Sequence, residues 1–242
     1  MNSEERMENA VVMENAVVEV RKLSREYVLK GGTVKALEDV SLNIGRREFM
    51  AIAGPSGSGK TTLLNIVGAL DVPSAGEVFL EGNSVTRMNR REQALLRRDR
   101  LGFVFQSYNL IPVLTVLENT EYVMLLQGVG KRARRKAALE VLDQVGMGGL
   151  ENRRPSELSG GQQQRVAVAR AIVSKPSLVL ADEPTANLDS VTGSNLLDTM
   201  AALNSELGIT FVFSSHDRMV LERASRVVRL RDGRIESDQV GS

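Results

Sequence analysis

The chain has 242 residues, 42% of them hydrophobic, enough for one sizeable core or one core with a small attached lobe. Its 31 Lys and Arg against 30 Asp and Glu exclude a strong general attraction to nucleic acid or anionic lipid. The absence of cysteine excludes a disulfide framework, a thiolate nucleophile and a Cys-ligated metal, and fits a reducing cytoplasm.

A short duplication comes first: Met7–Val12 reads MENAVV and Met13–Val18 repeats it, too short for a repeat architecture. Residues 1–15 read as an N-terminal extension, expected to be disordered, of which 1–12 are expected to be dispensable, and MNSEERMENA is too polar and acidic for a secretory signal. Ala16–Val20 is β-branched and apolar, a strand signal. Glu48–Ala53 reads as a strand running into a Gly-rich loop, and Lys60–Gly68 as the helix that follows.

The charged, strand-poor stretch from about 107 to 165 reads as a helical lobe. Within it, Arg132–Val145 places Ala133, Ala137, Val141, Leu142 and Val145 on one helical face. The basic run Lys131–Lys136 is then the solvated side of that helix. Gln162–Ser174 is predicted helical and stops before Pro176. Leu178–Ala181, Thr210–Phe213 and Val227–Leu230 are short apolar runs of the buried-strand kind, the last closed by a turn at Asp232-Gly233. Strands alternating with helices predict an α/β fold with a mainly parallel sheet, occupying residues 16–238, into which the lobe 107–165 is inserted. No stretch reaches the roughly 18 to 20 continuous apolar residues of a membrane helix.

Two segments carry chemistry. Gly54-Pro55-Ser56-Gly57-Ser58-Gly59-Lys60-Thr61 fits G-x-x-x-x-G-K-[ST] between a predicted strand and a predicted helix. Its glycines let backbone N–H groups approach phosphates, and the helix N-terminus favours anions. Lys60 supplies a point charge to the β- and γ-phosphates, and Thr61 a hydroxyl for Mg²⁺. The second segment is the apolar strand Leu178–Ala181, which delivers Asp182 and Glu183 at its C-terminal end, where ligands bind in open α/β sheets. Asp182 suits the Mg²⁺ shell, and Glu183, on the opposite side, suits polarisation of an attacking water.

Leu158–Gln162 reads LSGGQ and continues QQRVAVARA, and this pentapeptide resembles the signature of ABC ATPases. The resemblance runs from about Val18 to Ile235. Gln106 in FVFQ resembles the family's Q-loop, Ala186-Asn187-Leu188-Asp189 its D-loop, His216 its switch histidine and Tyr27 its adenine-stacking aromatic.

The resemblance implies a P-loop NTPase core of the RecA-like type, with an N-terminal antiparallel β portion and an inserted α-helical lobe. It implies ATP and Mg²⁺ as ligands. Tyr27 and Gly54, Pro55, Ser56, Gly57, Ser58, Gly59, Lys60, Thr61 and Thr62 would bind nucleotide within one chain. Ser159, Gly160, Gly161 and Gln162 would reach the γ-phosphate held by a second copy. Metal ligation falls to Thr61, Gln106 and Asp182, and catalysis to Glu183, His216, Lys60 and Gln106. The implied partners are a second ATPase copy and integral membrane permease subunits, with no nucleic acid, at the cytoplasmic face of the inner membrane.

Within the family the chain is most similar to the lipoprotein-releasing and macrolide-export type, through Gly54–Val78 and Leu101–Asn119. Ala186 and Ser215 depart from that subgroup's usual Gly and Thr, at positions expected to stay clear of the chemistry. Amino-acid importers share much of LSGGQQQR and remain an alternative. Chromosome-organising ATPases separate the two motifs by a long coiled coil, and translation-factor ATPases carry two cassettes. A P-loop kinase would leave LSGGQ unexplained. The intervening segment here lacks sustained heptads, and one cassette is present.

Overall fold

A computed structural model describes residues 16–30 and 32–241. The extension 1–15 and the first MENAVV copy lie outside the described residues.

A six-stranded sheet has the order β10-β9-β3-β8-β7-β6. Its strands are β3 (Phe49–Ala53), β6 (Leu101–Phe105), β7 (Leu178–Asp182), β8 (Phe211–Ser214), β9 (Arg226–Arg231) and β10 (Arg234–Val240). All neighbours run parallel except the hairpin β9–β10, which closes through Asp232 and Gly233. The second sheet is antiparallel, in the order β2-β1-β4-β5, from β1 (Ala16–Leu29), β2 (Gly32–Gly45), β4 (Ala75–Leu80) and β5 (Asn83–Ser84).

Two cores share the parallel strands, and the two-residue period of a strand divides the side chains between them. Phe49, Ala51, Val179, Ala181, Phe211 and Phe213 face a core completed by helices α5 (Gly160–Ile172) and α6 (Ser190–Leu207). Met50, Ile52, Leu178, Leu180 and Val212 face the other, built from the antiparallel sheet and helix α1 (Lys60–Val67). Phe49 and Phe213 pack with ring centroids 4.6 Å apart. Burying a side chain of this size contributes about 1.5–3 kcal/mol, so covering both sheet faces is the main stabilising term.

The antiparallel sheet is longer than its apolar run predicts. β1 continues past Val20 through an irregularity at Lys22, whose φ is 46°, and returns Leu23 to the core.

Between β5 and β7 lie α2 (Arg90–Arg100), β6, α3 (Val116–Leu126) and α4 (Lys131–Gln144). α2 and α3 each start on a capping box, Asn89–Glu92 and Thr115–Glu118. On α4 the buried stripe is Ala138 and Leu142, continued by Val145, with Ala137 and Val141 half-buried. Ala133, expected on this face, is exposed in the first turn. The basic run is not wholly solvated either, because Arg134 is paired with the buried Glu121 of α3.

Asn119 is fully buried on α3 and fixes the loop before it. Its amide donates to the carbonyls of Ile111, Leu114 and Thr115 and accepts from the Ile111 N–H. Removing it strands those groups. Asn119→Ala is expected to lose about 2–3 kcal/mol of stability, read as a lower midpoint in chemical unfolding. An unchanged midpoint would show that water replaces the amide.

Candidate functional site

The parallel register aligns four strand ends. Phe105 of β6 lies beside Asp182 of β7, Asp182 beside Ser214 of β8, and Ser214 beside Ile52 of β3. Each strand releases a candidate residue just past this row: Gln106, Glu183, Ser215 with His216, and the loop from Gly54. Lys60, Thr61, Gln106, Glu183 and His216 line one cavity of about 410 Å³, together with Ser56, Gly57, Gly59, Thr62, Ala186 and residues 34–36 of β2.

The loop is held against its surroundings more closely than a side chain permits. A Cβ on Gly54, whose φ is 153°, would lie 2.2 Å from the Leu230 carbonyl oxygen. One on Gly59, whose φ is 102°, would lie 2.4 Å from that of Ala36. Glycine is required at both on steric grounds. Gly54 and Pro55 border a separate recess beside Arg229 and Arg231 rather than the main cavity.

Lys60 folds back over the loop, Nζ donating to the carbonyls of Gly54 at 2.8 Å and Pro55 at 3.0 Å. Ser58 Oγ is buried without a partner. Thr61 Oγ1 donates to Asp182 Oδ1 at 3.2 Å, so the hydroxyl and carboxylate expected to share a metal are neighbours. One carboxylate, one hydroxyl and substrate phosphates suit magnesium, which keeps most of its shell as water and phosphate.

Glu183 adopts φ 45°, a left-handed conformation uncommon outside glycine. Its N–H donates to the Ser214 carbonyl at 2.9 Å. Oε1 lies 2.8 Å from His216 Nδ1, and Oε2 accepts from Ser215 Oγ at 3.1 Å. Ser215 Oγ also accepts from the Asp217 N–H. Ser215 and Ala186, expected clear of the chemistry, instead bond Glu183 and line the cavity, respectively. Asn187, for which the sequence suggests no role beyond the D-loop match, donates from Nδ2 to the Gln106 carbonyl at 3.0 Å. Two residues on, Asp189 caps α6, and hydrogen bonds from Thr192 and the Val191 N–H hold its carboxyl below the usual range.

Besides Gly54 and Pro55, Ser58 and Asp182 do not line this cavity, and two further sets of candidates lie away from it. Tyr27 pairs across β1 and β2 with Val34, which lines the cavity, but Tyr27 itself does not. Arg25 covers its ring at 4.5 Å from the centroid, and its hydroxyl donates to Asp71 at 2.8 Å. Ser159, Gly160, Gly161 and Gln162 form the N-terminal turn of α5, outside the cavity. Ser159 Oγ accepts from the Gln162 N–H at 3.3 Å, and Gln162 Oε1 accepts from the Ser159 N–H at 3.0 Å. This capping box leaves Ser159 exposed at a dipole-positive helix end.

The family model described as ABC transporter matches residues 37–186, which include the phosphate loop, Gln106, LSGGQ and Glu183. The chain belongs to the ABC transporter ATPases. An uncharacterised ABC transporter ATP-binding protein of Thermotoga maritima is 47% identical over 91% of this chain and 94% of its own length. A macrolide export ATP-binding/permease protein of Paracoccus denitrificans is 45% identical over 92% of this ABC ATPase, which spans 33% of that longer protein.

Among solved structures, the dimeric, ADP- and phosphate-bound post-hydrolysis state of the Methanocaldococcus jannaschii cassette MJ0796 superposes with a TM-score of 0.85. It shares 42% identity over 92% of this chain and 98% of that one. Among the described residues of this ABC ATPase, no helix is long and apolar enough to cross a membrane.

Proposed function

We propose that two copies of this ABC ATPase close on two ATP molecules and drive a separate permease of the lipoprotein-release or macrolide-export type from the cytoplasmic face of the membrane. Residues 16–238 form the ATPase domain, with the segment 107–165 as its inserted lobe. The observation that carries the reading is the shared cavity. Lys60, Thr61, Glu183 and His216 line it together, Asp182 is bonded to Thr61, His216 is bonded to Glu183, and the LSGGQ turn remains outside for a second copy. The macrolide-export relatives, which fuse a cassette to a permease, support the partner class.

In this mechanism Lys60 leaves the Gly54 and Pro55 carbonyls for the β- and γ-phosphates. Thr61, Asp182 and Gln106 would hold magnesium, which neutralises charge on the phosphoryl oxygens when bound. Glu183 orients a water and draws its proton as the water oxygen attacks the γ-phosphorus and the bond to the β-phosphate oxygen breaks. Ser215 and His216 fix the Glu183 carboxylate, and His216 faces the γ-phosphate. Ser159 and the Gly160 and Gly161 amides of the second copy complete the charge stabilisation.

The permease would dock beside the Gln106 segment. A cavity of about 380 Å³ there is lined by Leu70, Phe103, Phe105, Val123 and Leu126, and Leu126 is 53% exposed. In the neighbouring segment 110–114, Leu110 packs on the core while Pro112 and Val113 are exposed. A short apolar helix of the permease fits such a groove. Leu126→Asp is expected to abolish co-purification of the permease from detergent-extracted membranes while the melting temperature and ATP affinity stay unchanged. Undiminished co-purification would move the docking site elsewhere, and a lowered melting temperature would make Leu126 a core residue.

A further inference from the structure

Gln164 lies in the second turn of α5, fully buried. Its Nε2 donates to the Pro184 carbonyl at 2.8 Å and to the Phe105 carbonyl at 3.3 Å. Pro184 follows Glu183 directly, and Phe105 precedes Gln106 directly. One buried amide thus spans the ends of the two strands that release the candidate base and the candidate sensor.

The amide is not there as filling. Its Oε1 is buried without a partner, a cost that an apolar side chain of similar length would not carry. What the amide fixes is backbone, at the ends of two neighbouring strands. Glu183 sits at φ 45°, and Tyr108 and Asn109, just after Gln106, at 58° and 51°. Non-glycine residues persist in this region only where their surroundings over-determine them. Farther along α5, Arg170 donates to the carbonyls of both Tyr108 and Asn109, although burial pushes its guanidinium pKa down. α5 therefore holds the chain before and after Gln106 and the chain after Glu183.

We infer that Gln164 is a positioning residue, whose two hydrogen bonds set Glu183 and Gln106 relative to each other and tie both to the helix that carries the LSGGQ turn. The inference rests on the reading above, in which Glu183 acts on water and LSGGQ faces the nucleotide of the other copy. Its consequence is coupling between the two sites. Seating the first turn of α5 on one nucleotide pulls, through Gln164, on the carbonyls that frame the other. The phosphate loop is not attached to Gln164, so nucleotide binding by the open chain is independent of it.

The test is Gln164→Met, which keeps the length and removes both donated bonds. Three quantities are measured on the full chain: thermal unfolding, ATP affinity, and the kcat and KM of Mg-ATP hydrolysis. Misplacing a reacting group by an ångström costs up to about a hundredfold in rate, so kcat is expected to fall about 10- to 100-fold with KM, ATP affinity and melting temperature near wild type. Wild-type kcat beside an inactive Glu183→Gln protein would overturn the inference alone. Wild-type turnover by Glu183→Gln itself would overturn the reading of the site and this inference with it. Loss of cooperative unfolding, or a weakening of ATP affinity that matches the loss of kcat, would make Gln164 an ordinary core residue and equally overturn the inference.

Discussion

A Glu183→Gln protein is expected to bind ATP as tightly as wild type, to hydrolyse it about 10²- to 10³-fold more slowly, and to accumulate as an ATP-bound dimer. The substitution suits its surroundings. The carboxamide oxygen accepts from Ser215 Oγ as Glu183 Oε2 does at 3.1 Å, and the amide nitrogen takes the place of Oε1, 2.8 Å from His216 Nδ1, donating to it in the tautomer that carries its proton on Nε2. Neither partner is stranded, so stability and the φ 45° backbone should survive. What disappears is a group able to draw a proton from water. Phosphate release measures the first effect, and size-exclusion chromatography in Mg-ATP the second. Wild-type turnover would remove Glu183 from the mechanism. Slow turnover without a dimer would detach hydrolysis from dimer opening.

The strand ends that build the site are legible in the sequence because burial and chemistry change there within one residue. Leu178–Ala181 is wholly apolar and the next two residues are acidic, and a similar change follows Ala53, whereas after β8 burial runs on through Ser214 and Ser215 to the exposed His216. β2 is not legible in this way. Its buried residues Leu37, Val40, Leu42 and Ile44 would alternate, but the bulge at Asp39, φ 51°, inserts an extra residue and breaks the period. α2 buries no side chain and carries no apolar stripe, so only its Asn89–Glu92 capping box marks it. On α4 the apolar spacing extends back to Ala133, but the helix meets the core only from Ala137 onward, and Ala133 in its first turn is exposed.

The connections within the site are the least legible. Tyr27 is held by Asp71, Phe105 and Pro184 are joined by Gln164, and Gln106 is met by Asn187. Each pair is far apart in the chain, and each involves a side-chain amide, a hydroxyl or a backbone carbonyl whose direction only the folded strand order fixes. Ser215 shows the same limit at short range. A serine two residues before Asp217 reads as a local turn former, yet the left-handed backbone at Glu183 turns the carboxylate onto it.

A Ser159→Asp protein should retain its fold and its single-chain ATP affinity, yet fail both to dimerise on ATP and to hydrolyse it. Aspartate caps a helix as well as serine, and its charge favours the α5 N-terminus, so the bond now made by Ser159 Oγ to the Gln162 N–H is replaced in kind. A carboxylate at Gly160 would be a poorer probe. Its Cβ would lie 2.8 Å from the Tyr108 hydroxyl and disturb the segment after Gln106 within the same chain. At Ser159 the new charge meets nothing in its own cavity and, in the proposed dimer, faces the partner's γ-phosphate. Like charges about 4 Å apart repel by about 4 kcal/mol at an effective dielectric near 20, close to a thousandfold in the closed state. Titration of the isolated chain with ATP, size-exclusion chromatography of Ser159→Asp combined with Glu183→Gln, and steady-state hydrolysis separate the effects. Weakened single-chain affinity would place Ser159 beside its own nucleotide. Wild-type hydrolysis would confine catalysis to one chain and leave LSGGQ as the start of a helix.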